Sequence, residues 1–399
     1  MSASFNETPA GSRLHIGIFG KTNSGKSSFI NAFTGQNVSI VADVSGTTTD
    51  PVYKSMELHP LGPCTLIDTA GFDDTSDIGE LRIKKTKLAA EKTELAVIVC
   101  ADEELSQEIT WYRYFKKQKT PVLFVINKSD ILGDTDGIKG EIKGETGEEA
   151  IAINAITGSG IQKVKEALTR LVPENYGEEQ ITGELLGEGD LVLLVMPQDI
   201  QAPKGRLILP QVQTLRELLD KKCLVMSVAT GQMLSALKSL RYPPKLIIAD
   251  SQVFDYVYEH KPKESMLTSF SVLFAAYKGD LAYYVEGAKM LDRLKPDSKV
   301  LIAECCTHAP LKEDIGREKI PRMLKKRVGE SLTVTIVSGT DFPSDLSEYD
   351  LIIQCGACMF HRKYVLSRIE CAREQGVPMT NYGITMAHLT GILDKITMT

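Results

Sequence analysis

The sequence predicts an α/β fold in three parts: an N-terminal doubly wound sheet, a small α/β middle domain and a C-terminal α/β domain. Three observations carry this expectation. Short apolar runs alternate with amphipathic stretches along most of the chain, as strands joined by crossover helices do. A glycine-rich loop, Gly20 to Ser27, lies between the first such strand and the first helix. Two cysteine groups, Cys306-Thr307-His308 and Cys355-Gly356-Ala357-Cys358, follow strand-like runs in the last third.

At 399 residues the chain is long for one core. Its 43% hydrophobic and 25% charged residues are ordinary for a globular protein. A net charge of -6 argues against a broad nucleic-acid footprint. No run approaches the roughly 20 apolar residues of a membrane span. The polar start, Met1 to Ser12, lacks a signal-peptide core, so a cytoplasmic location is expected. Disulfides are not expected among the eight cysteines in that reducing setting. Cys64, Cys100 and Cys223 sit in apolar runs and read as small buried hydrophobes.

The first domain is expected over residues 10–173. Arg13 to Phe19 reads as a strand, Gly20 to Ser27 as a phosphate-cradling loop and Ser28 to Phe33 as a helix start. Gly20 and Gly25 let backbone amides approach phosphate oxygens, and Ser28 adds an amide at the helix N-terminus. Lys26 is placed to reach the β- and γ-phosphates and Ser27 to ligate Mg²⁺. Further elements follow in the order this chemistry needs. Asp68-Thr69-Ala70-Gly71 ends a strand, with Asp68 for the Mg²⁺ shell and the Gly71 amide facing the γ-phosphate. Thr48, in the polar stretch Gly46 to Asp50, is the second candidate Mg²⁺ hydroxyl. Asn127-Lys128-Ser129-Asp130 follows the run Val122 to Ile126, and the Asp130 carboxylate can accept from both N1–H and the 2-amino group of guanine. Asn154-Ala155 is placed to back the guanine ring. GTP is the expected nucleotide, on a doubly wound sheet with its ligand at the strand C-termini.

Phe72 follows Gly71 where many GTPases carry a water-positioning glutamine. In that replacement, and in Asn23 of the phosphate loop, the segment resembles the tRNA-modification GTPases. The resemblance implies K⁺ recruited through Asn23, and Glu80 as the residue that positions water. From the residues alone, Asn23 also suits a capping role and Glu80 a solvated charge on the helix through Leu81 to Lys84.

Pro173 to Gln180 reads as an acidic linker. Residues 180–262 then alternate again, with strands at Asp190 to Met196, Cys223 to Ala229 and Lys245 to Ala249, and helices at Pro210 to Asp220 and Gln232 to Leu240. No phosphate loop or metal spacing occurs there. Open sheet edges make homodimerisation the expected use.

Over residues 263–399, Leu267 to Tyr277 and Leu281 to Leu294 read as helices, and Lys299 to Glu304, Leu332 to Val337 and Asp350 to Gln354 as strands. Phe360 to Glu374 reads as a helix whose positive end faces the second cysteine group. Both groups therefore fall at strand C-termini, where such a sheet opens its crevice. Cys306, Cys355, Cys358 and His308 can hold an iron–sulfur cluster or zinc, and spacing alone leaves both open, along with no metal at all. Cys305 is an alternative to Cys306, His308 also suits a place behind the ligands or in the core, and Cys371 reads as packing.

A GTPase domain, a middle domain without site residues and a Cys-x-His with Cys-x-x-Cys domain together resemble the maturation GTPases of iron-only (FeFe) hydrogenase over nearly the whole chain. That resemblance implies a 4Fe-4S cluster on Cys306, Cys355 and Cys358. It also implies a dimeric scaffold that takes a transient diiron precursor from two radical-SAM maturases and delivers it to apo FeFe-hydrogenase. The family often carries histidine before Cys-x-x-Cys, where this chain has Gln354, so a histidine fourth ligand does not carry over. Competing expectations are an RNA-modifying or ribosome-assembly GTPase and a redox-sensing GTPase with a regulatory cluster. Against the RNA reading, no G-x-x-G clamp or basic tract with interleaved aromatics follows Gly160.

Overall fold

The structure is a computed structural model that describes residues 10–35, 51–59, 61–72, 79–133, 135–172, 176, 179–197, 207–305, 315–339, 341–357 and 360–398, the side chains of 10 and 79–82 excepted. It divides into two compact units, up to residue 177 and from 178 onward.

In the first unit the elements run β1 (Leu14–Phe19), α1 (Lys26–Thr34), β2 (Val52–Leu58), β3 (Gly62–Asp68), α2 (Gly79–Glu91), β4 (Leu95–Cys100), α3 (Ser106–Lys117), β5 (Val122–Ile126), α4 (Thr135–Thr146), β6 (Ala150–Ala152) and α5 (Ile161–Leu171). The sheet order is β2-β3-β1-β4-β5-β6, with β2 antiparallel to β3 and the rest parallel. Every residue of β1, β4 and β5 is buried, as expected for strands covered by helices on both faces. Helix α5 shows how the cover is built. Ile161, Val164 and Leu168 at helical spacing are buried, while Gln162, Lys163 and Glu166 lie exposed on the other side. Each such aliphatic side chain contributes about 2 kcal/mol on burial.

The second unit runs β7 (Leu191–Val195), α6 (Leu209–Asp220), β8 (Leu224–Val228), α7 (Met233–Ser239), β9 (Leu246–Ala249), α8 (Phe254–His260), β10 (Met266–Ser269), α9 (Phe270–Lys278), α10 (Leu281–Ala288), β11 (Lys299–Ala303), α11 (Ile320–Val328), β12 (Thr333–Val337), β13 (Leu351–Gln354), α12 (Arg362–Glu374), β14 (Met379–Asn381) and α13 (Tyr382–Leu389). These strands form two parallel four-stranded sheets, β10-β9-β7-β8 and β12-β11-β13-β14. Leu193, Val195 and Ile247 of the first belong to the same buried apolar cluster as Val300 to Ile302 and Leu351 to Ile353 of the second. Three α/β sheets are present as the sequence predicts, and the second and third share one core.

Two readings of the third section change. Leu267 to Tyr277, read as one helix, divides into the edge strand β10 and helix α9, because Ser269 Oγ accepts from the Val272 N–H at 3.3 Å and caps the helix there. Strand β10 pairs with β9, so the middle sheet takes residues from beyond position 262. Leu281 to Leu294 stops as an α-helix at Ala288 and continues as a tighter turn over Lys289–Asp292. Cys64, Cys100 and Cys223 are buried in apolar clusters, as expected.

Candidate functional site

In the first unit, β1 delivers the chain into the glycine loop at the C-terminal edge of the sheet. Gly25, at φ 86°, caps α1, and a Cβ there would collide with Asn127 Nδ2, so glycine is required on both counts. Lys26 is buried, its Nζ donating to the carbonyls of Gly20 at 2.9 Å and Lys21 at 2.7 Å. Ser27 Oγ donates to Asp68 Oδ2 at 3.0 Å, which joins the helix start to the end of β3. Burial pushes the Asp68 carboxyl up from its usual value, while the Ser27 hydrogen bond and the Lys26 charge oppose that rise. A Mg²⁺ ion beside Asp68 would supply the missing counter-charge.

Asn127 ties the loop to the base-recognition segments. Its side chain is 3% exposed, with Nδ2 donating to the Ser24 carbonyl at 3.1 Å and Oδ1 accepting from the Ala155 N–H at 3.1 Å. Lys128, at φ 57°, donates from Nζ to the Asn23 carbonyl at 2.7 Å, and Asn23 itself is left-handed at φ 60° with an exposed side chain. Asp130 is exposed. Asn154 Oδ1 accepts from the N–H groups of Ile156 at 2.9 Å and Thr157 at 3.0 Å, which fixes the turn carrying Ala155. Gly20, Asn23, Lys26, Ser27, Asp68, Asn127, Lys128 and Ala155 thus share one rim. Ser28 continues helix α1. Thr48 lies outside the described residues, as does the side chain of Glu80, whose backbone is in α2.

Gly71 is followed by a buried Phe72 that stacks on Trp111, centroids 5.6 Å apart at 23°. Around them Ile83, Lys87, Gln107, Thr110 and Tyr114 line an open pocket of about 430 Å³ between α2 and α3. The sequence reading also missed a charge cluster on the phosphate loop. Lys21 Nζ sits 2.9 Å from Asp102 and 2.7 Å from Glu104, with buried Glu108 3.5 Å away. These acids follow β4, and the parallel pairing of β4 beside β1 is what places them there.

In the second unit, order β12-β11-β13-β14 places consecutive crossovers on opposite sides of β11, so the crevice opens between β11 and β13. Ala303 and Gln354 are paired across it, and Cys305 and Cys355 follow them. Cys355 Sγ accepts from the Cys305 N–H at 3.1 Å and the Ala357 N–H at 3.5 Å. Ala357 is left-handed at φ 52°, a conformation that costs a residue with a Cβ and that turns the chain back toward Cys355. Gln354 is fully buried and donates from Nε2 to Cys305 Sγ at 3.1 Å, Cys355 Sγ at 3.7 Å and the Ala303 carbonyl at 3.1 Å. Its Oε1 accepts from Arg368 Nη1 at 3.1 Å. The sequence did carry a signal for Arg368, which sits at helical spacing among buried Tyr364, Val365, Ile369 and Ala372. Helix α12 begins at Arg362 with the His361 ring as cap, Nδ1 accepting from the Tyr364 N–H at 3.4 Å. Cys306, His308 and Cys358 lie outside the described residues.

Comparison with known families follows the same division. A model described as the hydrogen maturase F dimerization domain matches residues 181–279, and one described as the hydrogen maturase F tetramerization domain matches residues 282–398. Together these matches span more than half of the chain. The chain belongs to the hydrogen maturase F family. Its first unit is a P-loop GTPase domain, matched over residues 15–128 by a model described as 50S ribosome-binding GTPase. Among curated proteins this chain resembles the tRNA modification GTPase MnmE of Alkaliphilus metalliredigens, 36% identical over 43% of this chain and 37% of that protein. The Nitrosomonas europaea protein of the same name is 34% identical over 39% of this chain and 34% of its own length. The chain spans about a third of the length of these relatives. Among the described residues, no helix is long and apolar enough to cross a membrane.

Proposed function

We propose that this chain is a GTP-hydrolysing scaffold that carries a 4Fe-4S cluster, accepts a diiron precursor from two radical-SAM maturases and passes it to apo FeFe-hydrogenase. The observation that carries the reading is the sulfur of Cys355, held by two backbone N–H donors and a buried glutamine at the mouth of a sheet crevice. Donors arranged around a sulfur suit a thiolate ligand, and charged, hydrogen-bonded sulfur is what iron–sulfur centres use. Cys355, with Cys306 and Cys358, would hold the cluster, leaving one iron open because Gln354 is engaged as a donor. His308 remains an additional candidate. When bound, the cluster would supply a soft, exchangeable iron position for the incoming diiron unit.

The first unit supplies the switch. Lys26 places a fixed ammonium at the phosphate cradle, and Ser27 and Asp68, already hydrogen-bonded, form the Mg²⁺ pair with Thr48. Asp130 selects guanine, while Asn127 holds Ala155 and the phosphate loop in one frame. Asn23, exposed and left-handed, is the K⁺ residue in this reading, so turnover rises with K⁺. With Phe72 stacked on Trp111, water positioning falls to Glu80. The dimerization and tetramerization matches support a homo-oligomer, and the chain divides the work among a nucleotide region, an association region that runs on through β10 and a cluster region beyond it.

Anaerobic reconstitution with iron and sulfide, followed by paramagnetic resonance, tests the cluster. A cubane signal absent from Cys355→Ser supports it; tightly bound zinc without a signal overturns it. For the switch, Lys26→Ala protein loaded with the diiron unit is expected to fail in partner release or hydrogenase activation. Wild-type behaviour in both would remove the regulatory role.

A further inference from the structure

Arg368 is the feature that the proposed chemistry leaves unexplained. Its guanidinium is 3% exposed, forms no ion pair among the described residues and leaves Nε without a hydrogen-bond partner. Phe342, Phe360 and Tyr364 surround it, with ring centroids 4.9, 5.0 and 4.9 Å from the guanidinium carbon. Nη2 donates to the Gly339 carbonyl at 2.5 Å and Nη1 to Gln354 Oε1 at 3.1 Å. A buried cation is costly unless a counter-charge lies near. Two hydrogen bonds away, through Gln354, are the sulfurs of Cys305 and Cys355.

We propose that Arg368 and Gln354 are a positioning pair for the cluster at Cys355, the arginine supplying its buried counter-charge and the glutamine conveying that charge as an N–H donor to sulfur. The proposal rests on the reading that Cys355 is a cluster ligand. Reduction adds one electron and no proton to the bound cluster, so a fixed positive charge and polarised N–H···S bonds favour the reduced form. The aromatic cage and the Gly339 bond hold the guanidinium at its place, which keeps the charge aimed at the crevice rather than at solvent. This also gives Gln354 a role other than ligation: its amide presents donors to the sulfurs, while its oxygen faces the arginine. Cys305, on the same donor, is part of this sulfur environment and not merely packing.

The experiment compares full-length wild type, Arg368→Gln, Arg368→Lys and Gln354→Leu after anaerobic reconstitution, each held at one solution potential near the wild-type midpoint with dithionite and a mediator. Iron and sulfide contents are measured first, then the ratio of reduced to oxidised cluster by paramagnetic resonance. Arg368→Gln is expected to lower that ratio at least tenfold, which corresponds to about 59 mV for one electron. Arg368→Lys is expected to recover most of the loss, and Gln354→Leu to lower the ratio in the same direction. An unchanged ratio in Arg368→Gln overturns the proposal, as does a lysine variant no better than the glutamine variant. If Arg368→Gln takes up no cluster, Gln354→Leu decides, a lowered ratio supporting the pair and a wild-type ratio overturning it. Absence of a cubane in wild type overturns the cluster reading and this proposal together; a cubane with equal ratios overturns this proposal alone.

Discussion

The backbone N–H of Cys305 points at the Cys355 sulfur from 3.1 Å, although the two residues are 50 positions apart. Parallel pairing of β11 with β13 makes this contact, because Ala303 opposite Gln354 sends both chains out of the sheet at the same level. Sequence separation is thereby converted into a local sulfur environment.

Replacing Cys355 by serine removes the sulfur that accepts from Cys305, Ala357 and Gln354. The fold is expected to survive, since Cys355 is only half-buried and serine accepts the same donors. Iron and sulfide content after reconstitution should fall to background. Cys223→Ala, in a separate apolar cluster, should leave both unchanged. Equal iron in the two variants would contradict the assignment.

Asn127→Ala cuts both the Ser24 and the Ala155 contacts from a buried position. Two hydrogen bonds, worth about 1–3 kcal/mol together, predict a roughly 5- to 150-fold loss in GDP affinity. Fluorescent-nucleotide titration reads it directly. Asp130→Asn is expected to move preference from guanine toward xanthine nucleotides, because xanthine offers a carbonyl where guanine has an amino group and the amide can donate to it. Competition between GTP and XTP in the same assay checks this, and undiminished GTP preference would count against the role of Asp130.

Most of the site rim was legible because its chemistry lies at strand ends. Gly20 to Ser27, Asp68 and Asn127 to Asp130 each directly follow an apolar run, and the run itself announces the strand. Lys21 was not legible as an anchor, since its partners Asp102, Glu104 and Glu108 are brought in by strand order alone. Strand β10 was hidden because Met266 to Phe270 interrupts its apolar residues with Thr268 and Ser269 and shows no clear period, and only the Ser269 cap decides where strand gives way to helix. Gln354 looked like a missing ligand. Its partners Arg368 and Cys305 turn it into a donor, and neither is near it in sequence on the scale that a motif covers.

Trp111 is the only tryptophan in the chain and stacks on Phe72, the residue after Gly71. Any nucleotide-dependent movement of Gly71 must carry Phe72 across the indole. Emission from Trp111 is therefore expected to differ between the GDP complex and that of a non-hydrolysable GTP analogue. Phe72→Ala should abolish most of that difference while retaining nucleotide binding. Identical spectra for the two wild-type complexes would show that Phe72 does not follow the switch.

Burial raises the Glu108 carboxyl to about 7, the charge of Asp102 adding to the rise and that of Lys21 opposing it. In the unfolded chain the same group ionises at its ordinary, lower value. Its contribution to stability is therefore fully present below the unfolded value and is lost as pH rises toward 7, after which it stays constant. The loss amounts to about 3 kcal/mol at most. Glu108→Gln removes the titration but keeps the shape, so the variant should gain stability over wild type as pH rises from 5 to 8. Urea melts followed by Trp111 fluorescence report this unit, because the tryptophan lies on α3 beside the same core. A gap between variant and wild type that is the same at pH 5 and pH 8 would show that Glu108 does not titrate in this range.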